Sequence, residues 1–122
     1  MKKLIENQTL TLEYKQGFGS WTYHLVIPNT KDIQGKWGYM KVFGLIDDYY
    51  IFELNLAPRK GEDKIISINN KIRTSINKDA GDNVVVSLYL WEFWDEEDEI
   101  MSVINKLKKD LYKERKKNEQ EY

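Results

Sequence analysis

The sequence predicts a mainly β protein: a small barrel with one short internal helix, followed by a long amphipathic C-terminal helix. Three observations predict it. Apolar residues alternate with a period of two through much of residues 1–94, as half-buried strands require. The stretch from Leu56 to Leu90 reads as strand, short helix, Gly-Asp turn and strand. Composition then changes: residues 1–94 hold all four Trp, all four Phe and both Pro, whereas 95–122 are charged and contain no Gly or Pro. The expected organisation is a barrel domain over 1–94 and a helix with a charged tail over 95–122.

Each element follows from local chemistry. Thr9–Tyr14 places Leu10, Leu12 and Tyr14 on one face, and the Gly17–Ser20 cluster is a turn. Thr22–Ile27 places Tyr23, Leu25 and Ile27 inward and His24 on the opposite face, and Pro28 ends it because proline cannot donate to a ladder. Tyr39–Asp47 carries Met40, Val42 and Ile46 on one face, with Gly44 at a bend or bulge. Asp47-Asp48 is a hairpin turn, from which Tyr49–Leu56 returns with Tyr50, Phe52, Leu54 and Leu56 aligned. Pro58 and Gly61 form a turn into the strand Lys64–Ile68.

The helix Asn70–Asn77 is too short to stand alone in water. Asn69 or Asn70 caps it, and Ile72 and Ile76, four apart, dock it. Gly81-Asp82 turns the chain into Val84–Leu90, the Asp82 carboxylate accepting backbone N–H groups. Strands this short and numerous argue for a closed or partly open barrel, because closure removes exposed edges.

The last segment is helical from Asp98 to Lys117, capped by Asp95 or Asp98. Acids lie at its N-terminal end and Lys113, Arg115, Lys116 and Lys117 at its C-terminal end, the favourable order for the helix dipole. Ile100, Val103, Ile104, Leu107 and Leu111 form an apolar stripe. Two readings of it stand: the stripe packs on the barrel, or its far end, around Leu111 and Tyr112, meets a second copy as a homodimer.

Composition excludes several classes of chemistry. With no Cys and one His, disulfides, thiol catalysis and multi-histidine metal sites within one chain are out. Lys and Arg number 19 against 20 Asp and Glu, so an electrostatic case for nucleic acid or an anionic membrane starts weak. No apolar run approaches the roughly 20 residues that span a bilayer. The N-terminal MKKLIENQTL lacks the apolar core of a signal peptide, and a cytoplasmic location is expected.

The residues Trp21 to Pro28, Gly38-Val42-Gly44-Ile46-Asp47, Pro58 to Gly61, Ile68-Asn69-Lys71-Ile72-Arg73 and Gly81-Asp82-Val84-Val86 carry a resemblance. Over about residues 8–92 the chain resembles the bacterial and archaeal domain-of-unknown-function family nineteen-oh-five. Larger members of that family are often fused to a YdeI/OmpD-associated bacteriocin-protection segment. The resemblance implies a split β-barrel of about six strands with a short helix, related to swapped-hairpin regulator barrels. It implies no activity and hence no catalytic residue. This chain has Asp47-Asp48 where the family usually has Asp-Gly, so a positive φ at Asp48 would carry a small strain. It also ends after one charged helix where the fused members continue, and no role is carried over from them.

The most site-like cluster is Arg59, Lys60, Asn69, Lys71 and Arg73. Asn69 and Arg73, four apart, can share a helix face. Arg73 either grips an anionic ligand with its planar fork or pairs with a structural acid such as Asp82 or Asp47. A second set is aromatic: Trp21, Trp37, Tyr39, Trp91, Phe93 and Trp94. Trp21 and Trp37 are the candidates for stacking a ligand ring, against the alternative that all six plug the barrel ends. His24 has no accompanying nucleophile motif, Asp47-Asp48 and Glu62-Asp63 are solvated turn pairs, and Gly17-x-Gly19 lacks the rest of a dinucleotide site.

These residues point to a non-enzymatic binding or interaction module. Its ligand-binding candidates are Arg59, Asn69, Arg73, Trp21 and Trp37, it needs no cofactor or metal, and its partner is a small anionic or aromatic ligand or a protein. The alternatives are a nucleic-acid-binding regulator and an enzyme of unknown type, for which His24 is the best candidate.

Overall fold

The computed structural model describes residues 1–35, 40–91 and 97–119. In chain order its elements are β1 (Lys2–Thr11), β2 (Glu13–Tyr14), a 3₁₀ turn (Gly19–Trp21), β3 (Tyr23–Val26), β4 (Lys41–Ile46), β5 (Tyr49–Asn55), β6 (Ala57–Arg59), β7 (Glu62–Ser67), α1 (Asn70–Ile76), β8 (Asn83–Leu90) and α2 (Glu97–Glu119). The strands form two antiparallel four-stranded sheets, sheet A in the order β1-β8-β4-β5 and sheet B in the order β2-β3-β7-β6. Between them lies one core that includes Leu25, Ile27, Val42, Ile66, Val86 and Leu88.

The chain crosses from sheet A to sheet B at both edges, through Leu12 between β1 and β2 and through Leu56 between β5 and β6. Both leucines are buried, and both stay bonded through the backbone. The Leu12 N–H donates to the Asp82 carbonyl (2.9 Å) and the Leu56 N–H to that of Met40 (2.7 Å).

This is the mainly β class that the sequence predicts, with the short internal helix and the C-terminal helix in place. Its described strands outnumber the about six expected, for two reasons. The expected strand Thr9–Tyr14 breaks at Leu12, and its first half belongs to the longer β1. Residues 2–8 hide that strand because register shifts fall between Lys3 and Ile5 and between Ile5 and Gln8, with Asn7 at φ 49°. Each irregularity switches which face the next side chain takes, so no clean alternation survives. The second reason is β6, which carries Pro58 where a turn is expected and tolerates it as an edge strand.

Three further expectations are corrected. Tyr50, Phe52, Leu54 and Leu56 do not share a face. The register of β5 on β4 shifts between the pairs Val42–Leu54 and Gly44–Ile51, so Tyr50 and Phe52 point outward while Leu54 and Leu56 point into the core. Tyr23 is only partly buried and lies beneath Arg73 rather than in the core. In the hairpin turn the left-handed residue is Asp47 (φ 51°), not Asp48. Asp47 offsets its strain by joining the next strand: its N–H donates to the Val85 carbonyl (2.7 Å) and its Oδ1 accepts the Val85 N–H (2.8 Å).

Gly44 does mark a bulge, at φ 149°, and a Cβ there would meet the Ser87 carbonyl oxygen. Ser87 also answers the irregularity on its other side, since its Oγ accepts the Asn7 N–H (2.8 Å). The irregularities of β1 and β4 thus both meet Ser87 of β8.

α1 is capped by Asn69, whose Oδ1 accepts the Ile72 N–H (3.0 Å), and closed by Asn77 in the left-handed conformation. Ile72 is buried, and Ile76 packs against the core from the same side. Asn69→Ala is expected to lower unfolding free energy by about 1 kcal/mol, and urea denaturation at constant m-value measures it. Asn70→Ala, one position on, lacks the bond and serves as the control.

α2 covers the outer face of sheet A. Ile100 and Ile104 pack on Phe43, with Tyr50, Phe52, Tyr89, Trp91 and Val103 around them. Leu107 is buried too. The Trp91 indole N–H donates to the Phe52 carbonyl (3.0 Å). The helix begins at Glu97, so Asp98 lies in its first turn rather than capping it, while Asp95 lies outside the described residues. Over Ile100–Leu107 the stripe packs on the outer face of sheet A, and the strands form two open sheets rather than the closed form of the barrel expected; the side chains of Leu111 and Tyr112 lie outside the described set.

Candidate functional site

α1 has two chemically different faces. Ile72 and Ile76 turn to the core. Asn70, Arg73, Thr74 and Asn77, spaced three, four and seven along the helix, share the other face, and each carries a hydrogen-bonding group. That polar face lines a depression of about 570 Å³, walled by Tyr23 on one side and by Lys78, Asp79 and Asp82 on the other.

Arg73 is the fixed point of this depression. Its guanidinium carbon sits 3.6 Å from the centre of the Tyr23 ring, and one terminal nitrogen donates to the Ile68 carbonyl (2.7 Å). Tyr14 packs edge-on against Tyr23, the ring centres 5.1 Å apart. Among the described residues no carboxylate pairs with Arg73. Asp82 accepts the Asp79 N–H instead (2.8 Å), and Asp47 accepts that of Val85. The Tyr23 ring and the Ile68 carbonyl therefore hold the guanidinium at the wall of the depression. Lys78 adds a second cation, anchored on the Asn83 carbonyl (3.0 Å).

The other candidates divide. Asn69 is spent on its cap and does not line the depression. Lys60 and Lys71 are exposed. Arg59 lies at a different place, where it lines an apolar cleft together with Trp21. Trp91 packs under α2, and Trp37, Tyr39, Phe93 and Trp94 lie outside the described residues. The cationic cluster read from the sequence is thus two separate places, one around Arg73 and one around Arg59.

His24 is 5% exposed. Its Nδ1 donates to the Trp21 carbonyl (2.7 Å), and Phe18 packs edge-on against the imidazole. Among the described residues no carboxylate bonds to it. His24 thus braces the 3₁₀ turn from beneath. No group of three or more His, Asp or Glu able to hold a metal occurs among the described residues.

Sequence reasoning misses Lys64. It is 3% exposed, and its ammonium donates to the carbonyls of Thr30 (2.8 Å) and Lys31 (3.3 Å). Asp63 holds the N–H groups of the same two residues. A lysine flanked by an acid and two isoleucines gives no local sign of this, because its partners lie 33 and 34 residues away.

Comparison with known proteins places the chain. The model of the family described as Domain of unknown function (DUF1905) matches residues 9–88, and the chain belongs to that family. No curated protein and no solved structure matches it. No helix among the described residues is long and apolar enough to cross a membrane.

Proposed function

We propose that this member of a family without an assigned activity is a non-enzymatic binding module. Its site is the depression beside α1, and its ligand is a small hydrogen-bonding metabolite that carries an oxyanion. One observation carries the reading: Arg73 is held in place by Tyr23 and the Ile68 carbonyl, yet no carboxylate among the described residues neutralises it. A guanidinium so positioned can meet a carboxylate or phosphate with little loss of side-chain entropy. Asn70, Thr74 and Asn77 along the same face suit hydroxyl or carbonyl groups on the remainder of the ligand. Asp79 and Asp82 across the depression favour a ligand that donates hydrogen bonds as well as accepting them. The enclosed His24 weighs against an enzyme, and the balanced charge of the chain weighs against nucleic acid. A cytoplasmic location belongs to the same reading, supported by the absence of cysteine.

Thermal unfolding of the full chain against a panel of sugar phosphates, hydroxy acids and inorganic phosphate tests the proposal. At least one anion is expected to raise the melting temperature, and a folded Arg73→Ala variant should bind it about ten-fold more weakly. No stabilisation across the panel, or an Arg73→Ala variant that binds as tightly as the parent, overturns the reading.

A further inference from the structure

We propose that the cleft between the 3₁₀ turn and the β6–β7 hairpin is a second binding site, selective for a small flat aromatic carboxylate. The cleft measures about 250 Å³ and is formed by Phe18, Trp21, Ala57, Pro58, Arg59 and Ile65. Its position follows from the pairing of sheet B. Ala57 lies opposite Ile65, and Arg59 opposite Glu62, so two apolar side chains and one guanidinium reach the same outer face of the sheet. The aromatic residues come from the 3₁₀ turn laid over that face.

The wall is built before any ligand arrives. His24 bonds the Trp21 carbonyl from beneath, the Ser67 hydroxyl donates to the Ser20 carbonyl, and the Thr22 hydroxyl donates to the Gly19 carbonyl (2.7 Å). Three side chains thus fix the backbone of one short turn, and the rings of Phe18 and Trp21 inherit its rigidity. Preformed apolar walls with a single charged group are the usual makeup of a small-molecule site.

Chemistry narrows the occupant. Two aromatic rings and a proline offer faces for stacking and leave a polyol without partners, so a flat ring fits and a sugar does not. The volume admits one or two rings and excludes a folded peptide segment. Two cations lie near the rings: Lys15, 4.8 Å from the centre of Phe18, and Arg59, which lines the cleft itself. The Arg59 Nε is fixed on the Asp63 carbonyl (2.9 Å), which orients its terminal nitrogens. Its ion-pair partner, Glu62 at 3.4 Å, has a side chain 64% exposed. An ion pair that open to water holds weakly, and a ligand carboxylate arriving with a stacked ring can displace it. This site is independent of the Arg73 depression, with which it shares no lining residue.

Nitrogen-15 NMR of the full chain, reading the Trp21 indole N–H assigned through Trp21→Phe, tests the proposal with three probes: benzoate, benzyl alcohol and cyclohexanecarboxylate. Benzoate is expected to shift the Trp21 signal saturably. The other two, and benzoate with Arg59→Gln, should bind about ten-fold or more weakly, because each lacks either the charge contact or the flat ring. Arg73→Ala should leave benzoate binding unchanged, which separates this site from the depression beside α1. A Trp21 signal that does not respond to benzoate overturns the proposal, as does benzyl alcohol or cyclohexanecarboxylate matching benzoate. Full affinity in Arg59→Gln also overturns it. Should Arg59→Gln fail to fold, the probe comparison on the parent chain decides alone.

Discussion

Gly44→Ala is expected to destabilise the protein by about 4 kcal/mol, which for a chain of this size lowers the melting temperature by roughly 15 °C. Two effects act together. Gly44 sits at φ 149°, which side-chain-bearing residues rarely adopt, and its missing Cβ leaves room for the Ser87 carbonyl oxygen. That oxygen belongs to the backbone of β8, which pairs with β4 on one side and β1 on the other, so it cannot yield without disturbing both ladders. Gly61→Ala separates the two effects. Gly61 also has a positive φ (68°), but nothing lies within 4 Å of an added Cβ, so only the conformational cost of about 1–2 kcal/mol applies. Differential scanning calorimetry of both variants checks the ordering. Equal losses in the two would mean that steric contact at Ser87 contributes nothing.

Lys64→Met should cost about 3 kcal/mol. Burying a lysine is itself unfavourable, and replacing a complete buried ion pair by apolar groups is often neutral or stabilising. Here only the donor is removed. The Thr30 and Lys31 carbonyls that it satisfies remain, and Thr30 is fully buried. Methionine keeps the aliphatic stem and supplies no donor, so lost hydrogen bonds to a charged group outweigh the relief of desolvation. The segment from Ile27 to Lys31 would lose an anchor that Asp63 and the Thr30 hydroxyl only partly replace. Urea denaturation measures the change, and loss of amide protection confined to residues 27–35 would place it. A variant as stable as the parent would mean that the ammonium contributes no net stability.

Features fixed by neighbours in sequence were legible. The Asn69 cap needs only the residues of its own helix, and Ile72 and Ile76 declare their face by spacing. Gly44 stands out because a glycine inside an apolar strand has few structural uses. The features that escaped are set by partners distant in sequence. Nothing near Arg73 announces that Tyr23, fifty positions earlier, will lie beneath it, and nothing near Arg59 announces Trp21. Both arginines and Trp21 could be nominated by type, but their separation into two places depends on sheet order, which alternation alone does not encode. β4 illustrates the same limit. The alternation assigns Val42 and Ile46 to the core and leaves Phe43 without a role, yet Phe43 is as deeply buried because α2 covers the second face of sheet A.

The pairing of β1 with β8 also governs when this protein can fold. Asn7 and Ser87, which bond across that pair, are 80 residues apart. A nascent chain therefore carries a ten-residue strand whose partner is made only about 80 residues later. Until Asn83–Leu90 emerges, β1 has no neighbour in sheet A and β4 lacks one of its two. Contacts of such long range repay their loop-closure entropy late, which slows folding and prolongs the life of an unpaired edge. The first strand of this sheet must wait for the last, and any pause in synthesis before Asn83 prolongs the exposure of an unpaired edge.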